Sequence, residues 1–104
     1  MQVLTQQRLN MATYITRIEL HQAASGDYTT LHSAMEKEGF ERTITSDQGV
    51  TYHLLEAMYY RDTSLTRQQV LESAKSAAAS TKKNFSAFVS ETKGNTWSGL
   101  TKVS

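Results

Sequence analysis

No cysteine occurs among the 104 residues, which excludes disulfides, thiolate nucleophiles, iron–sulfur clusters and thiolate zinc sites. Nor does any apolar run approach the ~20 residues that a membrane-spanning helix requires. The glycines, at 26, 39, 49, 94 and 99, are dispersed, so there is no glycine-rich phosphate loop. The acidic residues do not cluster at a metal-ligand spacing, and the serines lack the setting of a nucleophile elbow. Metal- or nucleotide-dependent catalysis is therefore not expected, and neither is a cofactor. The opening residues MQVLTQQRLN have neither the apolar stretch nor the small-residue cleavage site of a signal peptide. A cytoplasmic location is the expectation.

What is present suits one small globular domain. With 38% hydrophobic and 20% charged residues over 104 positions, the chain is long enough for one core and too short for two. Its net charge of +1 conceals an asymmetry. Residues 1–72 hold six basic side chains against nine carboxylates, whereas residues 73–104 hold five lysines against Glu91 alone. A basic end of this kind suits phosphate contact through Lys75, Lys82, Lys83, Lys93 and Lys102. The plainer reading is that these lysines solubilise a helix end and a tail.

Residues 1–10 carry no strand or cap signal and are expected to form a loosely ordered extension, or to come from a start upstream of Met11. Ala12 to His21 alternates Tyr14, Ile18 and Leu20 against Ile15, Arg17, Glu19 and His21, which predicts a strand. Ser25 is placed to cap a helix over Gly26 to Glu38, in which Tyr28, Leu31 and Met35 recur at helical spacing and Gly39 ends the run. Phe40 to Thr45 and Val50 to Leu54 flank Ser46-Asp-Gln-Gly49, a hairpin signature. Leu55 to Asp62 is ambiguous between a continuation of that strand and an additional one. Thr66 with Gln69 forms a capping box, and Leu65 with Val70 a hydrophobic staple. The helix they start has a buried stripe of Val70, Leu71, Ala74, Ala77 and Ala78, with Lys82 and Lys83 near its negative end. Asn84 to Thr92 reads as the last strand. The order predicts an α+β domain over 11–92 with a ferredoxin-like βαββαβ sandwich, an antiparallel sheet with two helices on one face, followed by a flexible tail over 93–104.

The face of the sheet away from the helices is the surface on which function is expected. Arg17, His21 and Phe88 fall there with Ile15, and His53 joins them if Tyr52 is buried. Aromatic and basic side chains on a sheet suit single-stranded RNA, with bases stacked and phosphates held by Lys82, Lys83 and Lys93. The alternative is a homodimer through the sheet face or edge, because Ile15 and Phe88 would form an apolar patch that needs cover. The three histidines, His21, His32 and His53, could each serve as a general acid or base, but they form no metal pair of the HxH or HxxxH kind, and each reads as structural before catalytic. The flanking glycine and basic pattern of a standard RNA-recognition signature is missing around Phe85 and Phe88.

Thr13-Tyr-Ile-Thr-Arg-Ile-Glu-Leu20, Met35-Glu-Lys-Glu-Gly-Phe40 and the capped helix from Thr66 resemble the small GhoS-type proteins of enterobacteria and their prophages. The likeness spans residues 12–91 and lies mostly in element order and the Gly39-Phe40 junction. It implies a ferredoxin-like antitoxin of a type V toxin–antitoxin pair that cleaves messenger RNA without metal. CRISPR-associated integrase-partner proteins, which share that fold, end the first strand in an aspartate; here Leu20 and His21 stand in its place. Metal-free cleavage needs a base for the 2′-hydroxyl and cations for the phosphorane. By position the candidates are Arg17, His21, Arg42 and His53, on strands expected to be neighbours. A non-catalytic dimeric prophage accessory domain is the rival expectation.

Overall fold

The computed structural model describes residues 11–103, and the expectation for residues 1–10 lies outside the described residues. The elements are β1 (Ala12–Leu20), α1 (Asp27–Lys37), β2 (Thr43–Thr45), β3 (Thr51–His53), β4 (Met58–Thr63), α2 (Arg67–Ala79) and β5 (Phe85–Thr92). β1 lies at the centre of a three-stranded antiparallel sheet of order β4-β1-β5. Its period-two pattern is realised, since Tyr14, Thr16, Ile18 and Leu20 are buried while Arg17 and Glu19 are exposed.

Both helices cover the face to which Tyr14, Ile18 and Leu20 point. Leu31 and Met35 of α1 join Val70, Ala74, Ala77 and Ala78 of α2, together with Phe40 and Tyr59, in one core. Each large side chain buried there contributes about 1.5–3 kcal/mol. The alanines of α2 leave no bulk on its inner stripe, so helix and sheet can approach closely. Thr16 is fully buried among them, and its hydroxyl has no hydrogen-bond partner.

The helix ends follow local chemistry, with two departures from expectation. Ser25 does not cap α1: the N-cap is Gly26 at φ 90°, with no side-chain cap bond. The carboxylate of Asp27 instead accepts the Ala24 N–H at 2.7 Å, and this pins the approach to the helix in a left-handed turn that glycine adopts without strain. At the other end Gly39 (φ 97°) donates to Glu36 and Phe40 donates to Met35, the paired bonds of a Schellman motif. The Arg61 guanidinium packs beside Gly39 and lies 5.2 Å from the centre of the Phe40 ring. In α2 the Thr66–Gln69 capping box is present in both directions. Lys82 and Lys83, however, lie beyond its end. The helix stops at Ala79, Thr81 bonds back to Ala78, and Lys82 takes φ 62° in the turn into β5.

The hairpin forms, but outside the main sheet. β2 and β3 make a separate two-stranded sheet closed through Ser46 and Gly49. The partner of β1 is the ambiguous segment, now β4, paired from Met58 to Thr63. Side-chain packing accounts for the choice. Six residues of β4 place Tyr59 wholly in the core, whereas the three-residue hairpin strands bury only Ile44. A single bridge from Glu41 to Tyr60 is what links the approach to β2 with the main sheet.

Residues 93–103 fold back on the hairpin. Thr101 accepts the His53 N–H at 2.8 Å and Val103 donates to Thr51 at 2.9 Å. Trp97 meets Tyr52 edge to face, with ring centres 5.5 Å apart.

Candidate functional site

Opposite the helices, the outer sheet face is set by register. Arg17 stands between Met58 of β4 and Phe88 of β5, Ile15 between Tyr60 and Ser90, and Glu19 faces Ser86. Directly paired residues share a face, so these side chains form one surface. It is divided into two halves. The hairpin and tail fold over the Ile15 half, enclosing an apolar pocket of about 290 Å³ lined in part by Ile15, Leu54, Met58, Trp97 and Leu100. Ile15 is consequently half-buried, while Phe88 remains 70% exposed. The apolar patch expected from Ile15 and Phe88 together is thus reduced to Phe88.

The candidate catalytic residues fall into two groups. Arg17 and His21 belong to the open half of the outer face, and His21 Nε2 lies 3.0 Å from the Ser86 hydroxyl across the β1–β5 pair. Arg42 and His53 belong to the hairpin, which is not a neighbour of β1 in the sheet. His53 is paired with Thr43, whereas Arg42 precedes β2 and its charge acts on the buried Tyr59 phenol. The four side chains were expected on neighbouring strands, and the separate hairpin sheet is the reason they are not. Of the lysines, Lys83 lies 3.8 Å from the Asp27 carboxylate, Lys82 occupies the adjacent turn, and Lys93 follows the far end of β5. Phe88 lies between the two ends.

One arrangement has no counterpart in the sequence reading. His32 Nδ1 lies 2.7 Å from the Tyr59 hydroxyl, and His32 Nε2 lies 2.7 Å from Glu56. A carboxylate only accepts, so Nε2 carries a proton, and in the neutral imidazole Nδ1 accepts from Tyr59. Three residues in a row resemble a proton relay. Burial argues against that use, since Tyr59 has no exposed surface and its hydroxyl reaches no substrate in solution. Burial raises the Tyr59 phenol well above its ordinary pKa, the Arg42 charge opposing and Glu56 reinforcing the shift. The row is a tie between α1, β4 and the loop before it. Its only sequence signal is Tyr28 and His32 at i,i+4 on α1; the partners at 56 and 59 are supplied by the fold.

Among the described residues no helix is long and apolar enough to cross a membrane. Compared with known proteins, the sequence matches no family model, and no curated protein matches it at a significant level.

Proposed function

We propose that this chain is a single-stranded RNA-binding domain of the GhoS-antitoxin kind, acting on messenger RNA in the cytoplasm through the open half of its outer sheet face. The observation that carries the reading is Phe88, 70% exposed on a strand and directly across from Arg17. An aromatic ring beside a guanidinium offers a base a stacking partner and its phosphate a cation. The flanking Ser86 and Ser90 are small enough to leave the ring face clear. Metal-independent cleavage, which the GhoS resemblance implies, falls in this reading to His21 as base for the 2′-hydroxyl and Arg17 as the cation on the phosphorane. The ferredoxin-like layout belongs to the same proposal, with the Glu41–Tyr60 bridge standing where a fourth strand would pair.

The test is titration of a labelled single-stranded RNA in the presence of chelator, followed by gel analysis for discrete cuts. Phe88→Ala is expected to weaken binding roughly 5- to 150-fold, the worth of one stacked base. Arg17→Ala and His21→Ala are expected to abolish cuts while the circular dichroism spectrum is retained. Binding unchanged by Phe88→Ala would overturn the reading.

The rival, a non-catalytic dimeric interaction domain, draws on the same ring and on the outer edge of β5, with which no described strand pairs. A solution mass of twice 11.7 kDa, reduced to one chain by Phe88→Ala and accompanied by no RNA binding, would select it.

A further inference from the structure

The only tryptophan in the chain lines a cleft to which Phe88 does not contribute. The cleft holds about 480 Å³ and opens between the tip of the β2–β3 hairpin, the segment after β5 and the Thr13 end of the main sheet. That volume falls within the roughly 300–1,000 Å³ typical of small-molecule sites. Its lining combines two kinds of group. Tyr52 and Trp97 form an aromatic wall, edge to face, and Tyr60 lies among the floor residues. Asp47, Asn95 and Lys93 supply a carboxylate, an amide and a cation at the rim.

The polar rim is organised by a threonine hydroxyl. The Thr92 hydroxyl donates to the Gly94 carbonyl at 2.8 Å and accepts the Gly94 N–H at 3.2 Å, so the turn carrying Lys93 and Asn95 is locally braced. The Tyr60 hydroxyl donates to Asp62 at 3.1 Å, and the Thr13 hydroxyl donates to the other oxygen of that carboxylate. Asp62 is thereby occupied by neighbours on the sheet. Asp47, exposed at the hairpin tip, is the carboxylate presented to a ligand.

We infer that this cleft binds one nucleotide, with its base against Trp97 and Tyr52, its phosphate at Lys93 and an exocyclic amine of the base donating to Asp47. The ligand class rests on the single-stranded RNA reading; the site itself does not. Aromatic walls bind any base through its π-face, whereas a carboxylate facing the 4-position of a pyrimidine accepts from the N4 amine of cytosine and opposes the O4 carbonyl of uracil. The cleft therefore discriminates cytosine from uracil, whose equivalent atom is a carbonyl oxygen facing a carboxylate.

Trp97 is its own reporter. Fluorescence of the full chain is titrated with cytidine monophosphate, uridine monophosphate and inorganic phosphate. Saturable quenching is expected with the cytidine nucleotide, about tenfold weaker binding with the uridine nucleotide, and no response to phosphate alone. Lys93→Ala should weaken both nucleotides, and Asp47→Asn, whose amide can donate to the uracil carbonyl, should remove the preference. Both positions are exposed, so neither variant threatens the fold. Absence of quenching at millimolar nucleotide, or equal binding of both nucleotides with no effect of Asp47→Asn, would overturn the inference. Phe88→Ala should leave nucleotide quenching unchanged. RNA binding that is lost in Phe88→Ala without any nucleotide response condemns the cleft alone, and nucleotide binding without RNA binding condemns the sheet-face reading alone.

Discussion

Tyr59 and His32, 27 positions apart in sequence, are joined by a 2.7 Å hydrogen bond at the boundary between core and surface. Tyr59 is wholly buried, and its ring also meets Phe40 edge to face at 6.4 Å. The hydroxyl is the one polar atom of that ring, and His32 satisfies it. Removing the imidazole by His32→Ala leaves a buried hydroxyl without its partner, an expected loss of about 1–3 kcal/mol in urea unfolding. The double variant with Tyr59→Phe should cost less than the sum of the two single changes, since the orphaned group is then absent.

The same burial makes stability fall in alkali. Burial raises the Tyr59 phenol in the folded chain, while the unfolded phenol titrates at about 10. The folded state therefore holds its proton where the unfolded state releases one, and the contribution of Tyr59 is full below that unfolded value and declines as pH rises above it. Urea midpoints measured at mildly and strongly alkaline pH should fall less steeply in Tyr59→Phe than in the parent chain. Parallel slopes would show that Tyr59 ionises as freely folded as unfolded.

Gly39 is a position where a side chain is opposed twice. Its φ of 97° lies in the left-handed region, and an added Cβ would stand 3.2 Å from the Arg61 guanidinium. Gly39→Ala should cost about 1–2 kcal/mol from the backbone alone, read as a lower thermal midpoint. Gly49→Ala, also at positive φ but with open space around it, isolates the backbone part.

Thr66→Ala removes one half of the capping box and exposes the Gln69 N–H at the start of α2. About 1 kcal/mol of stability should be lost. RNA binding by the folded fraction should be unchanged, because the cap lies on the helical side and the proposed face on the other.

Salt should weaken RNA binding in proportion to the phosphates held. Lys93→Ala should reduce the slope of log affinity against log salt by about 0.7, the single-strand value for one phosphate. Lys83→Ala should change it less, since Lys83 lies beside the Asp27 carboxylate.

Local chemistry alone determined much of this chain: the alternation of β1, the capping box at Thr66, the stop at Gly39 and the tight turn before Val50 all follow from residues within a few positions of one another. Each depends on hydrogen bonds or side-chain spacing that a short segment contains. Tertiary structure decided which strand joins β1. The hairpin and the segment over Met58–Thr63 compete for that edge, and the burial of Tyr59 against Phe40 and His32 is not visible in either segment alone. The same long-range packing shapes the proposed binding face. Phe88 and Arg17 were legible as outward residues from strand period, but the division of Arg17 and His21 from Arg42 and His53 required the hairpin to form its own sheet, and the cover over Ile15 and the meeting of Trp97 with Tyr52 required the tail to return to β3. A period of two assigns a side chain to a face; only packing between distant segments determines whether that face is open.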